Sequence, residues 1–485
     1  MNYRCICAVL GLLIVLLGVA MLPSLGWSLY FGDGYWLSWI VSVVPVVSMG
    51  TILYLFGRGQ AGDMFQREAL AIVGLGWLVA AAVGSVPFLI SRAIPSVTDA
   101  FFETMSGFTT TGATILNDIE VLPPSILFWR STTHWLGGIG IVVIFIAVIP
   151  FFSAASRRLF QSELPGITAE GLKPRIKQSA LALVKIYLGL SVIECILLMF
   201  GGLDLFGALC HTFGTMATGG FSTWNASIGH FHSVYIEIVI IVFMFLAGTN
   251  FTLHYFCIRG RPMAYLRDTE FRTFLFLLLG SIAAITGILW FSGTMDSLAQ
   301  ALRASAFTSI SINTATGYCT ADFDQWPNAA RGLLAVQMVI GGCGGSTAGG
   351  MKVVRFLILF RVLRAQLERT HSPHSVRQIK IGGRVFELSI VNTAMIYFFA
   401  VFVLFTITTL ILLLFDPGVD LVTAVTSAIA TFNNVGPGLA GVGASQTYAF
   451  FTPASKWVLS LSMVLGRLEI FPILVLVSPA FWRKA

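Results

Sequence analysis

Residues 298–318 read LAQALRASAFTSISINTATGY, an apolar run of small and hydroxylated residues that ends in Thr316-Gly317-Tyr318. A helix needs about 20 predominantly apolar residues to cross the hydrocarbon core, and the part before the glycine, Leu298 to Ile312, falls short of that. The same design recurs in Val97 to Phe108, Leu205 to Met216 and Leu421 to Phe432. A glycine-bearing stretch follows each segment. These are Thr109-Thr110-Thr111-Gly112-Ala113, Ala217-Thr218-Gly219-Gly220-Phe221, Thr314-Ala315-Thr316-Gly317-Tyr318 and Asn433-Asn434-Val435-Gly436-Pro437. The repeat distance is roughly 100 residues, and such a period is the mark of a repeated structural unit.

The surrounding chain is lipid-compatible. Its 485 residues are 56% hydrophobic and 11% charged, with a mean hydropathy of +0.86, which excludes an ordinary soluble domain. About ten stretches are long enough to span a bilayer: 5–30, 36–57, 68–91, 125–152, 177–201, 233–258, 273–293, 329–366, 388–415 and 455–482. The expected fold is an all-α membrane protein. Two extra N-terminal transmembrane helices occupy 1–62, and four tandem helix, pore-loop, helix repeats follow at 63–160, 170–262, 268–370 and 385–485. Each repeat holds an even number of full spans, so successive repeats enter the membrane the same way round. A rotation about the membrane normal then relates them in a pseudo-fourfold arrangement.

The net charge of +7 points to topology here rather than to nucleic acid, because the placement of Lys and Arg sets orientation. With both termini cytoplasmic, the basic loops Arg157 to Lys177, Arg259 to Arg272 and Lys352 to Arg384 and the tail residues Arg483 and Lys484 all fall inside. The opposite face carries Asp99, Glu103, Asp118, Glu120, Asp204, Asp296, Asp322, Asp324, Asp416 and Asp420, a negative potential for an approaching cation. Met1 to Ser24 reads as an uncleaved first helix rather than a signal peptide, because its apolar run is long for one. Seven scattered cysteines give neither a disulfide framework nor a metal-site spacing.

Irregular backbone is tolerated at membrane depth only inside protein or along a water-filled cavity. Four such loops in equivalent places can meet on one axis, where their carbonyls replace an ion's water shell. Glycine admits the backbone conformations that aligned carbonyls require, and the residue before it packs behind the loop. Each half-helix aims its partly negative C-terminal end at the pore, which favours a cation.

The second helix of the third repeat is interrupted by Gly341-Gly342-Cys343-Gly344-Gly345-Ser346-Thr347-Ala348-Gly349-Gly350. Each glycine disfavours helix by about 1 kcal/mol relative to alanine, so an unwound intramembrane loop is expected just inside the filter, placed to obstruct it. Three other readings compete: close helix packing through Gly-x-x-x-Gly spacing, a phosphate loop, and a serine nucleophile at Ser346. The phosphate loop lacks its Gly-Lys-Ser/Thr ending. The nucleophile lacks a glycine two residues later and a nearby histidine. Arg467 stands in the last span, where a bare charge costs at least about 2.5 kcal/mol, so it needs a partner, with the Gly-rich loop's carbonyls or the cavity first in view. Lys185, Glu194 and Glu237 are expected to pair with one another or to sit at a subunit interface. Trp36, Trp135 and Trp326 read as interface anchors, and His371 and His374 as solvated loop residues.

The four loops resemble the Thr-Val-Gly-Tyr-Gly filter of potassium channels, in the degenerate form found in the Trk, Ktr and HKT superfamily of cation transport proteins. The two N-terminal helices and the overall length make the chain similar to TrkH-type potassium uptake subunits, and the resemblance covers essentially the whole chain. It is inexact in that only the glycine is common to all four loops. Cys319 follows Tyr318 where the channel signature has glycine, and the last loop carries Val435 and Pro437. The resemblance implies selection of potassium and rubidium over sodium, because Gly112, Gly219, Gly317 and Gly436 stand where a serine goes with sodium transport. It implies K+ held by carbonyls of Thr110, Thr111, Gly112, Ala113, Ala217, Thr218, Gly219, Gly220, Ala315, Thr316, Gly317, Tyr318, Asn434, Val435, Gly436 and Pro437.

The resemblance further implies a gate at Gly341, Gly342, Gly344, Gly345, Ser346, Thr347, Gly349 and Gly350, with Arg467 beneath the filter as an electrostatic barrier to cations. It implies a homodimer in the bacterial inner membrane, controlled by a cytosolic ring of nucleotide-binding regulatory subunits of the TrkA type. ATP, ADP or NAD would sit on that partner. This chain has no Walker or dinucleotide fingerprint, and no cofactor of its own is expected. The runner-up is an ion-coupled symporter with alternating access, a class marked by inverted repeats. An intramembrane enzyme would need a His-Glu-x-x-His or complete Gly-x-Ser-x-Gly constellation, and neither occurs.

Overall fold

The computed structural model describes residues 1–58, 66–148, 176–372, 380–382 and 384–482. The basic loop from Arg157, His374, and the tail residues Arg483 and Lys484 lie outside them.

Four short helices, Val97–Phe108, Leu205–Met216, Leu298–Asn313 and Leu421–Phe432, stand at corresponding places along the chain. Each starts where a side chain satisfies a free backbone N–H, the usual requirement of a helix N-terminus. Ser96 accepts from the Asp99 N–H at 3.3 Å, Asp204 from Gly207 at 3.0 Å, Ser297 from Gln300 at 3.2 Å and Asp420 from Thr423 at 3.1 Å. Each ends as the chain enters a glycine-bearing strand. The 12-residue members rise about 18 Å, little more than half the hydrocarbon thickness.

Long helices flank these pore helices. Among the described residues six are apolar and long enough to cross a membrane, including Arg67–Ile90, Thr269–Phe291 and Leu388–Phe415. The second helix of a repeat is where sequence and structure part. Residues 233–258 and 455–482, read from sequence as single spans, are two helices and three, the last of the three being Pro479–Trp482. Val234–Ala247 and Phe251–Ile258 meet at a bend of 100°. Pro453–Arg467 and Phe471–Val477 are separated by Leu468, Glu469 and Ile470, the last two with positive φ. The third repeat breaks after Asn328–Ile340 and resumes at Val353–His371. In the first repeat Pro124–Val148 is continuous.

The two N-terminal helices form a tight hairpin. A Cβ at Gly11 would lie 2.4 Å from the Tyr54 nitrogen, and one at Gly57 would lie 2.2 Å from the Arg4 carbonyl; small residues permit this backbone approach. The pair packs on the first repeat through a core that includes Ile14, Leu17, Trp39, Val46 and Trp77. A second core joins the second and third repeats through Tyr187, Phe243, Phe274, Phe307 and Tyr318. Trp326 is buried at 3% exposure and Trp135 stacks on Phe213, so these two pack inside the protein, while Trp36 is exposed. A two-residue antiparallel pairing, Lys380–Ile381 with Arg384–Val385, is the only strand structure among the described residues.

Candidate functional site

The four strands share one backbone itinerary. Thr110, Thr218, Ala315 and Asn434 have φ of 55°, 54°, 56° and 54°, and two residues on Gly112, Gly220, Gly317 and Gly436 have φ of 81°, 80°, 82° and 93°. A non-glycine residue with positive φ is uncommon, so four at matched positions fix the register. Hydrogen bonds repeat the match. The N–H groups of Thr111, Gly219, Thr316 and Val435 donate five residues back, to Ser106, Gly214, Ser311 and Ala430, at 2.8, 2.8, 2.8 and 2.9 Å. The glycine of the second strand that matches Gly112, Gly317 and Gly436 is therefore Gly220. The sequence reading had put Gly219 in that role; Gly219 instead occupies the place of Thr111, Thr316 and Val435. The tandem glycines hide this shift, because either one satisfies the pattern.

The strands close into a ring. A Cβ at Gly112 would meet the Gly219 carbonyl at 2.1 Å, one at Gly220 the Thr316 carbonyl at 2.0 Å, one at Gly317 the Val435 carbonyl at 2.2 Å, and one at Gly436 the Thr111 carbonyl at 2.7 Å. Each strand thus abuts the next in chain order and the fourth abuts the first. The carbonyls of Thr111, Gly219, Thr316 and Val435 are brought to one small ring, and any side chain on the four left-handed glycines would crowd it. A ring of four carbonyls can replace the water shell of a monovalent cation without a carboxylate.

Different side chains brace each junction. The Thr111 hydroxyl lies 2.8 Å from that of Thr109 and accepts from Asn434 Nδ2 at 2.9 Å. Thr316 pairs with Thr314 at 2.8 Å. The Tyr318 hydroxyl donates to the His211 carbonyl at 3.0 Å, and that of Tyr448 donates to the Gly436 carbonyl at 2.8 Å. Between the first and second strands stands a fully buried ion pair. Arg130 Nε donates to Glu103 at 2.7 Å and Arg130 Nη1 to the Ser222 carbonyl at 3.0 Å, while Glu103 accepts from Thr114 Oγ1 at 2.9 Å and the Ile115 N–H at 3.0 Å. Lys456 joins Asp99 at 2.6 Å, and Asp324 pairs with Arg331 at 3.3 Å. Several acids that the sequence suggested as a free negative field, Glu103 and Asp99 among them, are therefore committed to cations.

The glycine-rich segment from Gly341 to Lys352 is unwound, with Gly341, Gly345 and Gly350 at φ of 71°, 73° and 80°. It touches the second and fourth repeats as well as its own. Gly350 N–H donates to the Asn433 carbonyl at 2.8 Å, and Thr347 Oγ1 donates to the Met216 carbonyl at 3.1 Å. Met216 ends the second pore helix and Asn433 caps the fourth, so the segment lies against the helix ends from which the ring strands begin. The break in the second repeat holds its other side: Cys343 N–H donates to Gly248 at 3.0 Å and Phe251 N–H to Gly345 at 3.0 Å. Within the segment, Ser346 Oγ donates to the Cys343 carbonyl at 2.6 Å, Val353 N–H closes on Gly342 at 3.1 Å, and the backbone of Gly349 lies against Asn433.

Arg467 completes the enclosure, donating to the Thr347 carbonyl at 2.8 Å and to the Gly137 carbonyl of the first repeat at 3.0 Å. No carboxylate pairs with it among the described residues.

Residues to which sequence reasoning gives no role in the loop hold this segment. Glu270 accepts from the Gly344 N–H at 2.6 Å and from the Val354 N–H at 3.2 Å, so one carboxylate ties the loop to the N-terminus of the helix that follows it. Arg355 pairs with Glu469 and stacks 4.1 Å over Tyr397. The signal that would have found them is a charge beside an apolar span, costly unless partnered. Lys185, Glu194 and Glu237 do not pair with one another. Glu237 binds Arg303 through two hydrogen bonds of 2.6 and 2.7 Å, Glu194 is buried, and Lys185 is exposed.

Residues 55–484 match the family model described as TrkH, cation transport protein. A Trk system potassium uptake protein TrkH from Halomonas elongata is 40% identical and one from Salmonella typhimurium 38% identical, each over the full length of both chains. The Escherichia coli protein TrkG is 32% identical over 100% of this chain and 99% of its own. The crystal structure of the potassium transporter TrkH from Vibrio parahaemolyticus superposes with a TM-score of 0.90 at 36% identity, covering 100% of each chain. Fold, family model and relatives agree, and the chain belongs to the TrkH family of cation transport proteins.

Proposed function

We propose that this membrane protein takes up potassium, and rubidium with it, through the ring of four strands, as a gated passive pathway. The observation that carries the reading is the closed set of contacts in which each left-handed glycine abuts the next strand's carbonyl. Such a ring replaces the hydration shell of a weakly hydrated cation without a fixed charge that would trap it. The names of the relatives, potassium uptake proteins rather than enzymes, support the same substrate.

The glycine-rich segment from Gly341 to Gly350 is the gate in this reading. It lies against two pore-helix ends, and Arg467 adds a positive charge on the ion's way in. Its tethers lead to Val353–His371, a helix rich in Arg and a route by which a cytosolic nucleotide-binding ring of the TrkA type acts on it. The bacterial inner membrane, cytoplasmic termini and a homodimer complete the proposal. Parallel repeats around one axis support a pore over alternating access.

Rubidium flux into liposomes that hold the purified chain, with and without the regulatory ring and ATP or ADP, tests the proposal. Flux that potassium inhibits far better than sodium, and that the ring modulates, is expected. An absence of flux under all these conditions, or equal inhibition by sodium, overturns it. Single-channel steps in a planar bilayer distinguish the pore from an ion-coupled symporter.

A further inference from the structure

Three of the four strands carry a side chain at the position before the left-handed glycine, namely Thr111, Thr316 and Val435, and all three are completely buried. The second strand has Gly219 there. Its φ lies outside the left-handed region, so the backbone itself admits a side chain. What excludes one is His134, on the long second helix of the first repeat. A Cβ on Gly219 would lie 2.3 Å from His134 Nδ1 and 2.6 Å from its Cε1 and Cγ. The imidazole thus fills the space that threonine or valine fills in the other strands.

His134 also grips the strand further on. Its Nδ1 accepts the Phe221 N–H at 3.4 Å, and its ring stacks on that of Phe221 at 3.9 Å with an interplanar angle of 12°. Accepting at Nδ1 requires the tautomer protonated at Nε2. Arg130, one turn earlier on the same helix, places its guanidinium carbon 3.5 Å from the Phe221 ring. The second strand is therefore supported by the first repeat at Gly219, Phe221 and Ser222.

We propose that His134 is a positioning residue for ion selection: it stands in for the side chain that the second strand lacks and holds the Gly219 carbonyl in the ring. The inference rests on the four-strand ring being the selective element. Its signature is a size exchange across two repeats. His134→Ala leaves a void behind Gly219 and lets the strand relax. Gly219→Thr collides with the imidazole. Combined, they restore a strand built like the first and third, with a threonine in the space that the histidine vacates.

The test is competition of potassium and sodium against rubidium uptake, in liposomes holding the full-length chain. Uptake that favours potassium in the unsubstituted protein establishes the selective ring independently of His134. The expected result is a fall in potassium over sodium preference of about tenfold for each single substitution, corresponding to roughly 1.4 kcal/mol, and recovery of most of it in the double variant. Full preference in His134→Ala, or a double variant as poor as the sum of its parts, overturns the proposal. If His134→Ala fails to fold, His134→Val, which also opens space behind Gly219 and removes the Nδ1 acceptor, is used instead. It is expected to lower the preference on its own, and an unchanged ratio overturns the proposal.

Discussion

Removing the guanidinium of Arg467 addresses the proposed gate directly. In Arg467→Ala, the hydrogen bonds to the Thr347 carbonyl at 2.8 Å and the Gly137 carbonyl at 3.0 Å disappear, together with the positive charge. A hydrogen bond from a charged donor contributes roughly 1.5–3 kcal/mol net. The segment keeps its backbone bonds to Gly248, Phe251 and Asn433, so the closed arrangement weakens without vanishing. Opening breaks at least the contact to Thr347, since that carbonyl belongs to the segment that moves. Losing a preference of about 1.5 kcal/mol for the closed form raises the open-to-closed ratio roughly tenfold. The assay is initial rubidium uptake by liposomes without the regulatory ring, normalised to protein incorporated. A rise of about tenfold or more is expected, and unchanged or lower uptake by a folded variant refutes the reasoning.

Other substitutions probe the remaining contacts. Glu270→Ala removes the acceptor shared by Gly344 and Val354 and is expected to raise unregulated uptake several-fold, while Glu270→Gln, which retains one carbonyl acceptor, has a smaller effect. Gly349→Ala forces a Cβ to within 2.0 Å of the Asn433 carbonyl, so the segment cannot seat; increased leak with unchanged ion preference is expected, and a changed preference would assign the segment to selection instead. Arg130→Ala strands the Glu103 carboxylate in a buried site, at a cost of about 3–5 kcal/mol. A markedly lower melting temperature in detergent is expected, with partial recovery in Arg130→Ala combined with Glu103→Gln.

Much of this architecture is legible in the sequence because local chemistry dictates it. The four pore helices begin at Ser96, Asp204, Ser297 and Asp420, residues that cap free N–H groups, and stop where the strand needs left-handed backbone. The glycine-rich break in the third repeat announces itself for the same reason. The register of the second strand does not, because Gly219 and Gly220 are equivalent letters until φ tells them apart. The breaks in the second and fourth repeats are equally hidden. Gly248-Thr249-Asn250 and Leu468-Glu469-Ile470 carry no run of glycine, and their unwinding follows from tertiary contacts: one lies against Cys343 and Gly345, and the other directs Glu469 at Arg355. Arg130 and His134 reach another repeat, so sequence spacing says nothing of their partners, and only their polarity inside an apolar helix marks them.

We propose that carbonyls of four unlike strands form one selective ring. Gly112→Ser tests it most directly, since a Cβ there would meet the Gly219 carbonyl at 2.1 Å. Rubidium uptake is measured in competition with potassium and with sodium. Strong potassium preference is expected in the unsubstituted chain, and its loss, by about tenfold or more, in Gly112→Ser. A folded, conducting Gly112→Ser variant with undiminished preference for potassium would contradict it.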